Sequence, residues 1–234
     1  MHASATAEID NRAGASWMTS AGPAERLQLL AALLSRFNHD IRTPLNTITG
    51  WAHLLQKGSV ESARIGHVAD VIARNGRDQT LMLDAFIEDA RIIQGRLPLE
   101  AATVSVDDLI AREITQTSGA ENLRSSLQVR IEAGGTMIDG DSRLLQRLIH
   151  RLAVVIARRT DDGATINLSV SRDDRWICMS LTAPTGDADW SESDLLELRI
   201  STLMAAVFRG KLELLAGPGT AALRLLLPEA VRPK

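Results

Sequence analysis

At 234 residues and 25.4 kDa the chain has room for one or two domains, and 45% hydrophobic with 24% charged residues is ordinary for a globular protein. Collagen, disorder throughout and a disulfide miniprotein are excluded. A net charge of −3 offers no basic surplus to draw in nucleic acid. Apolar stretches such as residues 29–34 fall far below the roughly 18–20 residues of a membrane span, so no membrane partner is expected. The N-terminal MHASATAEIDNR lacks the basic and apolar regions of a secretory signal, which makes the cytoplasm the expected location. The single cysteine, Cys178, cannot form an intrachain disulfide and reads as a small buried hydrophobe; the five histidines do not fall at metal-ligand spacing.

In chain order, residues 1–23 are rich in Ala, Ser and Gly without periodicity and read as a flexible tail, with at most a short helix near Ile9. Periodicity then begins abruptly. Leu27, Leu30, Leu34, Phe37, Ile41, Leu45, Ile48, Ala52 and Leu55 recur at three- and four-residue steps, which predicts one long helix over residues 24–57. Lys57, Gly58 and Ser59 close it. A second run through Ile65, Val68, Ile72, Met82, Phe86, Ala90, Ile93 and Leu97 has the same character, interrupted by polar Asn75 and Gln79. The two helices form a hairpin over residues 24–98. A lone hairpin cannot bury its whole apolar stripe, so a homodimeric four-helix bundle is expected.

After Pro98 the pattern changes, and residues 99–234 read as helices interspersed with antiparallel strands in an α/β sandwich, an α+β fold for the whole chain. Residues 104–106 are a short strand signal, and Ser105 or Asp107 is placed to cap the helix that follows, to about Gln116. A strand over residues 127–133 precedes a Gly-Gly turn, and Asp141 opens an amphipathic helix over residues 142–158, broken at Asp161-Asp162-Gly163. Alternation at Ile166, Leu168 and Val170, then at Ile177, Met179 and Leu181, predicts an antiparallel hairpin. A last helix over residues 193–208 leads to strands at 211–216 and 221–227 joined by Gly217-Pro218-Gly219, read as a tight turn.

The candidate chemistry sits at His39. It lies two residues after Phe37 and two before Ile41, so at about 100° per residue it points away from the apolar stripe, into water midway along a helix. Asp40 follows directly and Thr43 comes one turn later. Pro44 occupies a helix interior, where it removes a backbone hydrogen bond at a cost of about 3 kcal/mol. Neutral imidazole is a nucleophile near pH 7, and an adjacent carboxylate can hold the ring and take its proton.

The stretch FNHDIRTPLN at residues 37–46, continued by TITGWAHLL, closely resembles the H-box of sensor histidine kinases. LDAFIEDARIIQGRL at residues 83–97 is similar to the end of the same dimerisation and phosphoacceptor domain, so the resemblance covers residues 27–97. It implies that His39 carries a phosphoryl group exchanged with the aspartate of a response-regulator receiver domain. Asp40 would be general base or orienter, and Thr43 would position a water that hydrolyses the receiver's phosphoaspartate. Arg42 would offset phosphate charge, with an ordinary solvated helix arginine as the alternative. The outward face near Asn46, Gly50 and His53 would receive the partner, whose own site would hold Mg. As isolated side chains His53, His67 and His150 read as surface bystanders.

The second half resembles the same family in outline. GDSRLLQRL at residues 140–148 is similar to the start of the first long helix of the kinase ATP-binding domain, and residues 208–214 and 217–220 are similar to its closing strands. The ligand positions depart from the pattern. Arg151 and Val155 stand where the family places the asparagines that face the phosphates and hold Mg, and neither is an oxygen donor for that cation. Pro184 stands where an aspartate reads the adenine, Asp187 is three residues late, and residues 187–195 hold no glycine for a phosphate lid. The chain therefore resembles histidine phosphotransferases derived from histidine kinases: a degenerate ATP-binding domain, no cofactor or metal of its own, and a phosphorelay role through His39. The alternatives are an ATP-dependent histidine kinase lacking its own sensor domain, and a receiver-binding adaptor or phosphatase that transfers nothing.

Overall fold

The computed structural model describes residues 21–119, 126–160, 164–184, 190–217 and 219–230. The expectations for the N-terminal tail, the break at residues 161–163, the loop around Asp187 and the turn at Pro218 lie outside the described residues. The described residues form two compact units, Gly22–Leu97 and the chain from Pro98 onward.

The first unit is a helical hairpin of α1, Pro23–Gln56, and α2, Ile65–Gln94, joined through a 3-10 turn at Ser62–Arg64. Pro23 opens α1, where its missing N–H is one of the unbonded donors of a first turn. Gly95 ends α2 at φ 68°, a left-handed conformation that needs no Cβ, and Arg96 N–H returns to Arg91 O at 2.9 Å. The Arg26 guanidinium donates to the Ile93 carbonyl, tying the start of α1 to the end of α2. Midway, Phe37 and Phe86 stack with ring centroids 4.5 Å apart, a pair contributing about 0.5–1.5 kcal/mol beyond its buried area. The apolar stripe is only partly covered within one chain. Leu29, Leu33 and Val68 are buried, yet Leu27, Leu34, Leu45 and Leu55 keep 69, 50, 49 and 36% of their surface exposed.

The second unit runs β1 (Ala102–Ser105), α3 (Val106–Gly119), β2 (Ser126–Ile131), β3 (Met137–Gly140), α4 (Ser142–Ala157), β4 (Thr165–Asp173), β5 (Trp176–Pro184), α5 (Glu192–Val207), β6 (Lys211–Gly217) and β7 (Thr220–Pro228). A five-stranded sheet of order β2-β4-β5-β7-β6 forms one layer, and β1 pairs with β3 in a separate two-stranded ribbon. Helix α4 lies on β4, β5 and β7 and packs against α3 and α5. Its Leu144, Leu145, Leu148, Leu152 and Ile156 meet the strand face of Ile166, Leu168, Val170, Ile177, Met179, Leu181, Leu223 and Leu225, all buried. Helices α4 and α5 are both capped by side chains: Asp141 accepts from the Arg143 and Leu144 amides, and Ser191 from that of Asp194.

Three details differ from the sequence reading. Strand β3 follows the Gly-Gly turn where no strand was expected; it is four residues long, too short for alternation to register. The sheet is mixed rather than antiparallel, because β2 pairs parallel to β4 across the connection that contains β3 and α4. Cys178 is half-buried rather than buried, because β5 alternates and its inward set is Ile177, Met179, Leu181 and Ala183; the thiol lies 3.5 Å from the Ser180 hydroxyl on the other face. Of the two cap candidates for α3, Ser105 accepts from the Asp108 amide, whereas Asp107 accepts from the Gly135 amide at 2.8 Å and anchors the turn before β3.

Candidate functional site

The α1 periodicity that directs Phe37 toward Phe86 turns His39 the opposite way, and 86% of its side chain is exposed. His39 Nδ1 lies 3.1 Å from Asp40 Oδ1. A carboxylate only accepts, so the neutral ring bonded to it carries its hydrogen on Nδ1 and leaves the Nε2 lone pair facing water. The other carboxylate oxygen, Oδ2, is 4.0 Å from Arg36 Nε, one turn earlier. Both oxygens of Asp40 thus face partners on the same helix, the ring by a hydrogen bond and Arg36 by a longer ion pair.

Arg42, Thr43, Asn46, Gly50 and His53 are all exposed on α1. At about 100° per residue they fall within about 60° of the direction of His39, one stripe of roughly four turns. Among the described residues none of them has a side-chain bond to His39; Thr43 contributes its carbonyl to the Thr47 hydroxyl at 3.1 Å. A Cβ at Gly50 would meet nothing within 4 Å, so this part of the face is open. Pro44 is buried on the inner side of the same segment, and across the hairpin Gln79 Nε2 reaches the Ile41 carbonyl at 3.4 Å. Sequence reasoning missed Arg36 and the destination of Gln79. The first had a signal in its i,i+4 spacing to Asp40; the second showed only as a polar interruption of an apolar run.

In the second unit the two positions singled out on α4 are both occupied by packing. Arg151 Nε lies 2.8 Å from Glu197 Oε2 of α5, with 11% of each side chain exposed, and Val155 is buried. Burial pushes the neighbouring Arg147 guanidinium down to about 10, with Arg151 adding to the fall and Glu197 opposing it. Pro184, the last residue of β5, is exposed. His150, read as a bystander, is half-buried instead. Its Nδ1 sits 3.1 Å from the fully buried Glu113 of α3, which also accepts from Gln146 Nε2 at 3.0 Å. That hydrogen bond raises the His150 pKa above its ordinary 6.5 against the opposing effect of burial. Among the described residues no three His, Cys, Asp or Glu side chains form a metal-binding group, and no helix is long and apolar enough to cross a membrane.

Residues 29–95 match the His Kinase A (phospho-acceptor) domain family model. The sensor protein DivL of Caulobacter vibrioides is 29% identical over 155 residues, covering 65% of this chain and 20% of DivL. The cell-division control histidine kinase PdhS of Brucella anthropi is 28% identical over 146 residues, covering 59% of this chain and 14% of PdhS. The chain thus spans about a fifth or less of the length of these curated relatives. Among solved structures, the histidine kinase AdeS of Acinetobacter baumannii superposes with a TM-score of 0.67 at 10% identity, over 82% of this chain and 98% of that one. Full-length ShkA, solved in complex with AMPPNP, does so at 0.59 and 19% identity, over 87% of this chain and 47% of that one. The comparisons thus show a match to a histidine kinase phosphoacceptor domain over residues 29–95, and for the chain as a whole the fold of solved histidine kinases.

Proposed function

We propose that this chain is a dimeric phosphorelay protein that exchanges a phosphoryl group between His39 and the aspartates of response-regulator receiver domains, without drawing on ATP itself. One contrast carries the reading: an exposed imidazole already paired with its carboxylate, and in the same chain a catalytic-type unit whose ligand positions hold Arg151 and Val155. A magnesium nucleotide needs hard oxygen donors at those positions. An arginine held at 2.8 Å by a glutamate and a buried valine do not fit it.

In the forward direction Nε2 of His39 attacks the phosphorus of a receiver phosphoaspartate. The P–N bond forms as the P–O bond to the receiver carboxylate breaks, and that carboxylate leaves with the electron pair. The imidazole becomes positively charged as it transfers its lone pair, and the Nδ1–H donated to Asp40 is where that charge is met. Return of the group to a second receiver reverses the same steps, with Mg belonging to the receiver. The stripe of Arg42, Thr43, Asn46, Gly50 and His53 is the face on which the receiver docks; Arg42 offsets phosphate charge and Thr43 positions the water of a phosphatase reaction. Leu27, Leu34, Leu45 and Leu55 of α1, with Ile65 and Leu81 of α2, remain exposed in one chain, an apolar load that a second copy covers in a four-helix bundle.

Incubation with a phosphorylated receiver labels the wild-type chain and leaves His39→Gln unlabelled; equal labelling of both overturns the proposal. A second reading, an ATP-dependent histidine kinase, is favoured by the name of PdhS as a histidine kinase. Titration with Mg and ATP separates the two, since a kinase binds saturably and transfers phosphate to His39.

A further inference from the structure

The polar interruption of the α2 stripe at Gln79 has a specific counterpart on α1. Pro44, inside α1, has no N–H to give the Asp40 carbonyl, so the turn that holds His39 and Asp40 lacks one rung of its backbone ladder. Ile41, whose carbonyl is the next one along that turn, receives the Gln79 side-chain amide from across the hairpin at 3.4 Å. The other polar interruption behaves differently: Asn75 spends its amide within α2, on the Val71 carbonyl at 2.8 Å. Gln79 alone of the pair crosses, and it crosses to a residue two positions from His39 and three from Pro44.

From this juxtaposition we infer that Gln79 is a positioning residue for phosphoryl transfer: it clamps the turn of α1 ahead of Pro44 so that His39 and Asp40 are presented in one fixed attitude. The inference rests on the relay reading of His39. An apolar side chain at position 79 would extend the stripe and strengthen the hairpin, so the glutamine occupies the seam at the expense of stability. A small shift of a reacting group is enough to slow chemistry by one or two orders of magnitude. Gln79 faces α1 rather than the receiver, so its loss acts on the transfer step and not on docking.

The test uses the full chain and a phosphorylated receiver, with Gln79→Met as the variant of similar length that lacks the donor. The expected result is a maximal transfer rate lowered about tenfold, a KM for the receiver unchanged, and a melting midpoint equal to wild type or raised by about 2 °C. Amide exchange over residues 41–46 becomes faster, and in a Pro44→Ala background, where the ladder is restored, Gln79→Met adds nothing to it. A merely structural glutamine would show a lowered melting midpoint with transfer falling in step. Transfer by Gln79→Met at the wild-type rate, or a change in KM alone, overturns the inference. Failure of the wild-type chain to take label at all defeats the relay reading instead; the exchange measurement then decides separately whether Gln79 holds the turn, and unchanged exchange rejects that too.

Discussion

Two long helices of this chain each carry an ionic cluster near their middle, and the clusters are built in opposite ways. On α1 the cluster of Arg36, His39 and Asp40 is open to water, with the ring 86% exposed. On α4 the cluster of Arg147 and Arg151 is closed over by Glu197 of α5. The first has a nucleophilic nitrogen left over after its internal bond is made. The second spends its groups on holding two helices together. What distinguishes the proposed reactive site from the structural ion pair is not which charged residues are present but whether the arrangement leaves an atom available.

That difference predicts opposite responses to mutation. On α1, Asp40→Ala lowers the phosphoryl-transfer rate by about 10²–10⁴, the range for loss of a positioned acid–base partner, while His39→Ala changes unfolding free energy by no more than about 0.5 kcal/mol. Rapid-quench kinetics and denaturant melts read the two. Asp40→Ala transferring at the wild-type rate would remove any special role for the carboxylate. On α4, Glu197→Ala strands the Arg151 guanidinium in a nearly closed environment and costs about 3–5 kcal/mol, and Glu197→Ala/Arg151→Met recovers much of it. A smaller loss, about 1–2 kcal/mol, follows Asp141→Ala, which removes the α4 cap and the acceptor of the Glu100 amide.

The smallest effect is one of pH. Because Glu113 raises the His150 value, the pair contributes stability in full below pH 6.5, and that contribution is lost as pH rises through the higher value of the folded state. Melting midpoints measured upward from pH 6 therefore fall more steeply in the wild type than in His150→Gln. Parallel curves would mean that the histidine does not titrate against Glu113.

The hairpin was legible in the sequence because its signals are local: a three-and-four apolar spacing, the Lys57-Gly58-Ser59 break between the helices, and the H-box around His39. The orientation of His39 followed from the same spacing that placed Phe37. Much of the second unit was legible for the same reason, since the β4–β5 alternation and the Asp141 cap are written in adjacent residues. What escaped depends on distant partners. The parallel pairing of β2 with β4, the engagement of His150 by Glu113 and the occupation of Arg151 by Glu197 join residues 37 to 46 positions apart, and no local pattern announces them. Cys178 was misjudged because residue type was weighed over its place on an alternating strand.

The most direct measurement offers the full chain radiolabelled phosphate from two donors in parallel, a phosphorylated receiver domain and ATP with Mg, and asks which one reaches His39. Label arriving from the receiver, absent in His39→Gln, and none arriving from ATP is the result this account predicts. Label on His39 from ATP would show that the Arg151–Glu197 cluster does not close the nucleotide site, and would contradict it.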